Sequence, residues 1–266
     1  MQRTYLPTRC PSNADGIETR STNMEVNPPC LIFDETMISV MKYTITGDNL
    51  QFVNVELSAG EGFNSTAGAM IYMTGNISME SHMKGGLLSG IKRSLSGSSM
   101  FLVDYKVSKG TGVVGLGGSV PGKIVDLDIG ETSWIVQKTG YLCSEESVNL
   151  DMVFQKKLGS ALFGGEGLIL QKLSGHGKVF VAACGDFNIV DLKPGEMYKV
   201  SSSNAVAWEE SVKYDITSVG GFKNALFGGE GLFVTTLTGP GKIIIQSMTL
   251  GDIAMSLWPY LPQSNS

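Results

Sequence analysis

The heptapeptide LFGGEGL occurs twice in this chain of 266 residues, at 162–168 and again at 226–232, 64 positions apart. A repeat at fixed spacing constrains the fold more than composition does, because each copy must form the same supersecondary unit. Three other landmarks keep the spacing. EESV stands at Glu145–Val148 and Glu209–Val212, and SGHGK (Ser174–Lys178) answers TGPGK (Thr238–Lys242). IVDLDIGE (Ile124–Glu131) answers IVDLKPGE (Ile189–Glu196) at an offset of 65. A more divergent copy lies upstream, where VELSAGE (Val55–Glu61) matches VDLDIGE and VDLKPGE. There SLSGSSMF (Ser94–Phe101) takes the place of LFGGEGL, and SVPGK (Ser119–Lys123) that of SGHGK. The chain therefore reads as three tandem copies over 37–118, 119–183 and 184–248, with an extension over 1–36 and a tail over 249–266.

Within a copy the local pattern is that of short strands. QFVNVEL, GKIVDLDI, FNIVDLK, ETSWIVQK and EMYKVSS alternate apolar with polar residues and are rich in β-branched types. GLILQKL, KVFVAAC, GLFVTTL and KIIIQS are further strands, some apolar on both faces. Glycine, proline, asparagine and serine clusters separate them, and the 34 glycines punctuate turns without a collagen period. The expected class is all-β: three sandwich- or barrel-like repeats with internal pseudo-threefold symmetry. LFGGEGL is read as a turn between strands, and SGHGK and TGPGK as hairpin connections. Helical pattern is weak. GGLLSGIKRSL has room for a turn or two, and Leu250–Pro262 predicts a short helix with Leu250, Ile253, Ala254 and Leu257 on one face, ending before Pro259.

Bulk properties remove several function classes. A net charge of −5 argues against a nucleic-acid footprint, and no apolar run approaches a membrane helix. Cys143 and Cys184 read as buried small apolar residues, consistent with a reducing, cytoplasmic setting. Residues 1–36 hold Arg3, Arg9 and Arg20 but no apolar core of a secretory signal. Pro7, Pro11, Pro28 and Pro29, with Asp15, Glu18 and Glu25, spoil an amphipathic transit helix, so the segment is expected to be a disordered extension or to precede a start at Met37 or Met41.

The motifs that tempt a chemical reading lack their context. GTGVVG (Gly110–Gly115) matches a dinucleotide fingerprint, but LGGSVPGK follows it where a helix should start. GGSVPGKI fits the phosphate-loop spacing, yet Ile124 stands where a hydroxyl should hold magnesium. His82 and His176 fall in non-equivalent places and form no zinc set. The acids that recur are Glu61, Glu131 and Glu196, one per copy. They are the candidate metal ligands if the pseudo-threefold brings them together; otherwise each is the polar exit residue of a turn. No catalytic residue and no cofactor is expected.

The order MKYTITGDN, AGAMIYMTGNISM, GGLLSGIKRSLSG, LFGGEGLILQKLSG, EESVKYDITSVGG and GPGKIIIQS, with WPYLP in the tail, resembles the altered-inheritance-of-mitochondria family numbered 24 over about residues 41–262. That resemblance implies domains similar to the fold of the tryptophan RNA-binding attenuation protein (TRAP). It also implies, for mitochondrial members, a link to inner-membrane organisation and respiratory-chain assembly, and hence a mitochondrial location in a eukaryote. It carries over no catalytic residues. The functional expectation is a non-enzymatic structural or interaction protein, a homo-oligomeric β scaffold with possible protein partners, no nucleic acid and no membrane span. The alternative is a small-ligand or metal-binding module with its site between repeats, and an enzyme of unrecognised type ranks third.

Overall fold

Alternating apolar residues become strands only where a second sheet covers the apolar face, so the arrangement of sheets decides what the repeat means. The computed structural model describes residues 41–83, 101–156, 168–218 and 233–261. The extension 1–36, GGLLSGIKRSL, nearly all of SLSGSSMF and both LFGGEGL turns (apart from Leu168) lie outside the described residues.

An opening strand β1 (Lys42–Thr46) is followed by β2 (Phe52–Ser58), β3 (Gly62–Thr66), β4 (Met70–Met73), β5 (Ile77–Met83), β6 (Phe101–Val107) and β7 (Thr111–Gly117). Six more come next: β8 (Gly122–Ile129), β9 (Trp134–Gln137), β10 (Tyr141–Glu145), β11 (Val148–Lys156), β12 (Leu168–Gly175) and β13 (Gly177–Cys184). The last six are β14 (Phe187–Leu192), β15 (Met197–Ser201), β16 (Ala205–Glu209), β17 (Lys213–Ser218), β18 (Phe233–Thr238) and β19 (Gly241–Gln246). The described residues are thus all-β, as expected, with one short helix among them, α1 (Leu250–Leu257).

Among the described residues the strands form four antiparallel sheets, in the orders β1-β2-β7-β4, β5-β6-β3-β10-β13-β8, β11-β12-β9-β16-β19-β14 and β15-β18-β17. Adding six to every strand number converts the second sheet into the third. The same shift relates β2-β7-β4 of the first sheet to β8-β13-β10, and β11-β12-β9 to β17-β18-β15 of the fourth. Even the irregularities recur: counting from β2, β8 and β14, the third strand of each series bulges, between Met70 and Tyr72, between Tyr141 and Cys143, and between Ala205 and Ala207.

Both six-stranded sheets straddle the boundary between one series and the next. β3 pairs with β10, and β9 with β16, so each half-sheet is completed by its successor in sequence. The expectation that each copy is its own sandwich is refined accordingly: apart from the opening strand β1, a copy contributes three strands to each of two sheets and closes neither alone. The cores follow the same logic. β8 turns Ile124 into the first core and Val125, Leu127 and Ile129 into the second. β13 sends Phe180 and Ala182 one way and Val179, Val181 and Ala183 the other. β9 sends Trp134 and Val136 to the second core and Ile135 to the third. The middle sheets are therefore buried on both faces, which is why KVFVAAC is apolar without alternation.

SVPGK was matched above to SGHGK, and the structure corrects that match. SVPGK runs from β7 into β8, whereas the hairpin equivalent to SGHGK is SKGTG (Ser108–Gly112), between β6 and β7. The false match arises because a glycine before a strand-opening lysine serves both connections. GTGVVG lies largely on β7, and a strand rather than a helix follows each phosphate-like motif. At the end of the chain α1 starts at a capping box, with the Thr249 side chain accepting from the Asp252 amide and Asp252 accepting from the Thr249 amide. Pro259 sits in a 3-10 turn, Trp258–Tyr260, that follows the helix. Among the described residues no helix is long and apolar enough to cross a membrane.

Candidate functional site

The repeated polar residues gather where successive series join. Glu145 ends β10, and its Oε2 accepts the Lys178 amide at 3.2 Å while Oε1 accepts the Met41 amide at 2.9 Å. Glu209 ends β16 in the same way, and its Oε2 accepts the Lys242 amide at 3.0 Å. The first series keeps this bond with a different group, since Thr74 Oγ1 accepts the Val113 amide at 3.1 Å. EES and GxGK therefore recur together because the glutamate of one caps the opening amide of the strand that follows the other. The carboxylate lies so close that the hairpin must be glycine. A Cβ on Gly177 would stand 2.2 Å from Glu145 Oε2, and one on Gly241 2.9 Å from Glu209 Oε2, at φ of +123° and +132°.

Beside each clamp opens a cleft. Between the second and third series it measures about 490 Å³ and is lined by Asp126, Asp128, Glu131, Trp134, Ile189, Glu209 and Lys242, among others. Its counterpart between the first and second series is about 260 Å³, with Met41, Leu57, Glu61 and Glu145 in its wall. Glu61 and Glu131, which match in sequence, thus occupy matching places in two separate clefts. On the outer side of β8, Lys178 Nζ lies 2.6 Å from Asp128 and 3.4 Å from Asp126, and 5.7 Å from the centre of the Tyr43 ring. Burial pulls the Lys178 pKa down, but Asp128, Tyr43 and Asp126 outweigh it and hold the ammonium above its usual value. Tyr43 donates to Asp126 at 2.7 Å, and burial, then that bond, pushes its phenol up.

The three glutamates singled out in sequence cap or border turns. Glu61 Oε2 accepts the Ser58 amide at 2.8 Å, and Glu196 Oε2 accepts the Lys193 amide at 2.9 Å, each bridging back across its own turn. Glu131 is exposed at the cleft mouth. Among the described residues no group of three or more His, Cys, Asp or Glu side chains is placed to hold a metal ion. His82 Nδ1 lies 3.2 Å from Asp104, and the His176 carbonyl accepts the Ser147 hydroxyl in the hairpin turn. Cys143 and Cys184 are both buried free thiols, and burial pushes both upward, Cys143 the further, away from nucleophilic thiolate. Sequence reasoning used Glu145 and Glu209 as part of the EESV landmark of the repeat. It missed their role as clamps. The signal was present: each glutamate stands 33 residues before the lysine whose amide it holds.

The chain as a whole is similar to known proteins. Residues 43–248 match the family model described as mitochondrial biogenesis AIM24. An uncharacterised protein of Streptococcus pyogenes serotype M6 is 33% identical over 236 residues, covering 85% of this chain and 93% of the relative. The crystal structure of a protein from Streptococcus pyogenes superposes with a TM-score of 0.71 at 30% identity, covering 83% of this chain and 100% of that one. These descriptions name no enzymatic activity.

Proposed function

The chain belongs to the mitochondrial biogenesis AIM24 family, and on that premise we propose that it is a non-enzymatic structural protein, an oligomeric β scaffold that presents its surface to protein partners. One observation carries this reading. The polar residues that recur at matching positions are engaged in building, since Glu145 and Glu209 hold amides at strand starts and Glu61 and Glu196 hold amides across their own turns. Groups spent on backbone satisfaction are held in place by it, which suits a frame better than a reacting site. Native mass spectrometry of the gently purified full chain is the test. An integer multiple of the chain mass with no retained adduct fits the scaffold; a single-chain species at every concentration overturns it.

A second reading rests on the larger cleft. Asp126 and Asp128 pair with Lys178 and Glu209 holds the Lys242 amide, so the exposed Glu131, beside an apolar wall of Trp134 and Ile189, is the carboxylate that suits a cationic or amine-bearing ligand. For a cation, Glu131 is the first acid to test, with Glu61 and Glu196 at the equivalent turns. Calorimetric titration with calcium, magnesium and manganese gives heat that Glu131→Gln reduces if the cleft is a cation site. Absence of heat and of any thermal shift removes the cation version.

A further inference from the structure

Two strand edges break the pattern that the rest of the molecule obeys. Among the described residues β4 pairs only with β7, and β15 only with β18. Their counterparts are paired on both sides: β10 and β16 match β4 by their bulges, and β3 and β9 match β15 by their place in the order. Exposure follows pairing. Tyr72 on β4 is 44% exposed, whereas Cys143 and Ala207 at the same position are 0% exposed. Tyr198 on β15 is 38% exposed, whereas Phe63 is 0% and Trp134 is 5% exposed. Ile71 and Met197 extend the two apolar edges, at 58% and 57%. An open, apolar strand edge is a surface made for another strand.

The open edges are complementary. The fourth sheet, β17-β18-β15, stops where the second and third continue through a β3–β10 or β9–β16 pair, and the first sheet begins at β4 with the half that is missing. Among the described residues β4 and β15 of one chain do not pair with each other. The geometry points to a second copy of this chain as the occupant: β15 of one copy pairs antiparallel with β4 of the next. Transferring the register of the internal junctions, where Ser65 faces Cys143 and Val136 faces Ala207, sets Val200 opposite Tyr72 and Tyr198 opposite Thr74. The contact is heterologous, head to tail, so a ring of copies leaves neither edge open. This rests on the oligomeric reading above and names the surfaces that make it.

Tyr72→Lys and Tyr198→Lys test it, because each puts an unpaired charge into one edge only, on a side chain already exposed in the single chain. Burying that charge weakens every junction by roughly a hundredfold or more. In native mass spectrometry and sedimentation of the full chain, wild type gives a multimer and each variant alone gives single chains. Mixing the variants restores one sound junction, between β15 of the Tyr72→Lys chain and β4 of the Tyr198→Lys chain, and gives a species of two chains that grows no further. A multimer unchanged in either variant overturns the edge pairing and leaves the scaffold standing. Failure of the mixture to form pairs also overturns it. Single-chain wild type removes both readings together.

Discussion

At the first internal junction β3 meets β10 through Asn64, Ser65, Cys143 and Ser144; at the second, β9 meets β16 through Ile135, Val136, Ala207 and Trp208. The pairings are equivalent residue by residue, but the chemistry is not. Asn64 Oδ1 accepts the Tyr141 hydroxyl at 2.7 Å and the Ser144 hydroxyl at 3.1 Å, in a polar seal whose two donors are buried. The second junction is closed by aromatic and aliphatic side chains, with Trp208 5.2 Å from the Tyr214 ring. Backbone pairing therefore holds the frame, and either a satisfied polar set or a packed apolar set can fill it.

The largest effect expected is at the apolar junction. Trp208→Ala costs about 3–5 kcal/mol in chemical denaturation, while Ser144→Ala at the matching position costs about 1 kcal/mol. Similar losses at both positions would erase the contrast. Trp208→Phe costs less than the alanine variant, because the buried Nε1 has no acceptor to lose.

Next comes the polar seal. Asn64→Ala leaves the Tyr141 and Ser144 hydroxyls short of an acceptor and costs about 1–3 kcal/mol. Combining Asn64→Val, Tyr141→Phe and Ser144→Ala turns the first junction into a likeness of the second and recovers at least half of that loss. A triple variant less stable than Asn64→Ala would show that the polar set is irreplaceable there.

The clamps differ by one bond. Glu145→Ala releases two amides, those of Met41 and Lys178, and Glu209→Ala releases that of Lys242. Each amide left without its acceptor costs about 1 kcal/mol, so the first variant is the less stable. Amide hydrogen exchange at Lys178 and Lys242 reports each loss separately.

The smallest contrast is Cys143 against Ala207, the same position in the two junctions. Burial raises the Cys143 thiol far above its ordinary 9.0. A raised folded value contributes stability that is fully present below the unfolded value and is lost as pH rises toward the folded one. Stability therefore declines from about pH 9 upward in wild type, and Cys143→Ala flattens that decline. A thiol reagent reaches Cys143 only when the chain opens; rapid labelling of the folded protein contradicts its burial.

Much of the fold was legible in local pattern. GKIVDLDI coincides with β8, and KVFVAAC, KIIIQS and FNIVDLK each fall on a strand, because apolar alternation and β-branching act over a few residues. Leu250–Leu257 is the predicted helix, although its apolar residues remain exposed or half-buried. The site was less legible. Glu61, Glu131 and Glu196 were found because they recur, but recurrence does not say whether like positions converge or are spread one to a turn. The Glu145 and Glu209 clamps joined two repeated motifs that had been read separately.

The sequence by itself determined the period, the strands, the turns and the side chains able to face a core, since all of these follow from periodicity and glycine placement along a single segment. Tertiary structure alone decided which strands share a sheet. β3 pairs with β10 across 80 residues of chain, Asn64 to Ser144, and no local pattern marks that partner. A strand offers two edges whose amides and carbonyls are alike for every sequence, so the choice between a neighbour in the same copy and one in the next is made by the packing of whole sheets. That choice buries both faces of the middle sheets and, among the described residues, leaves β4 and β15 paired on one side.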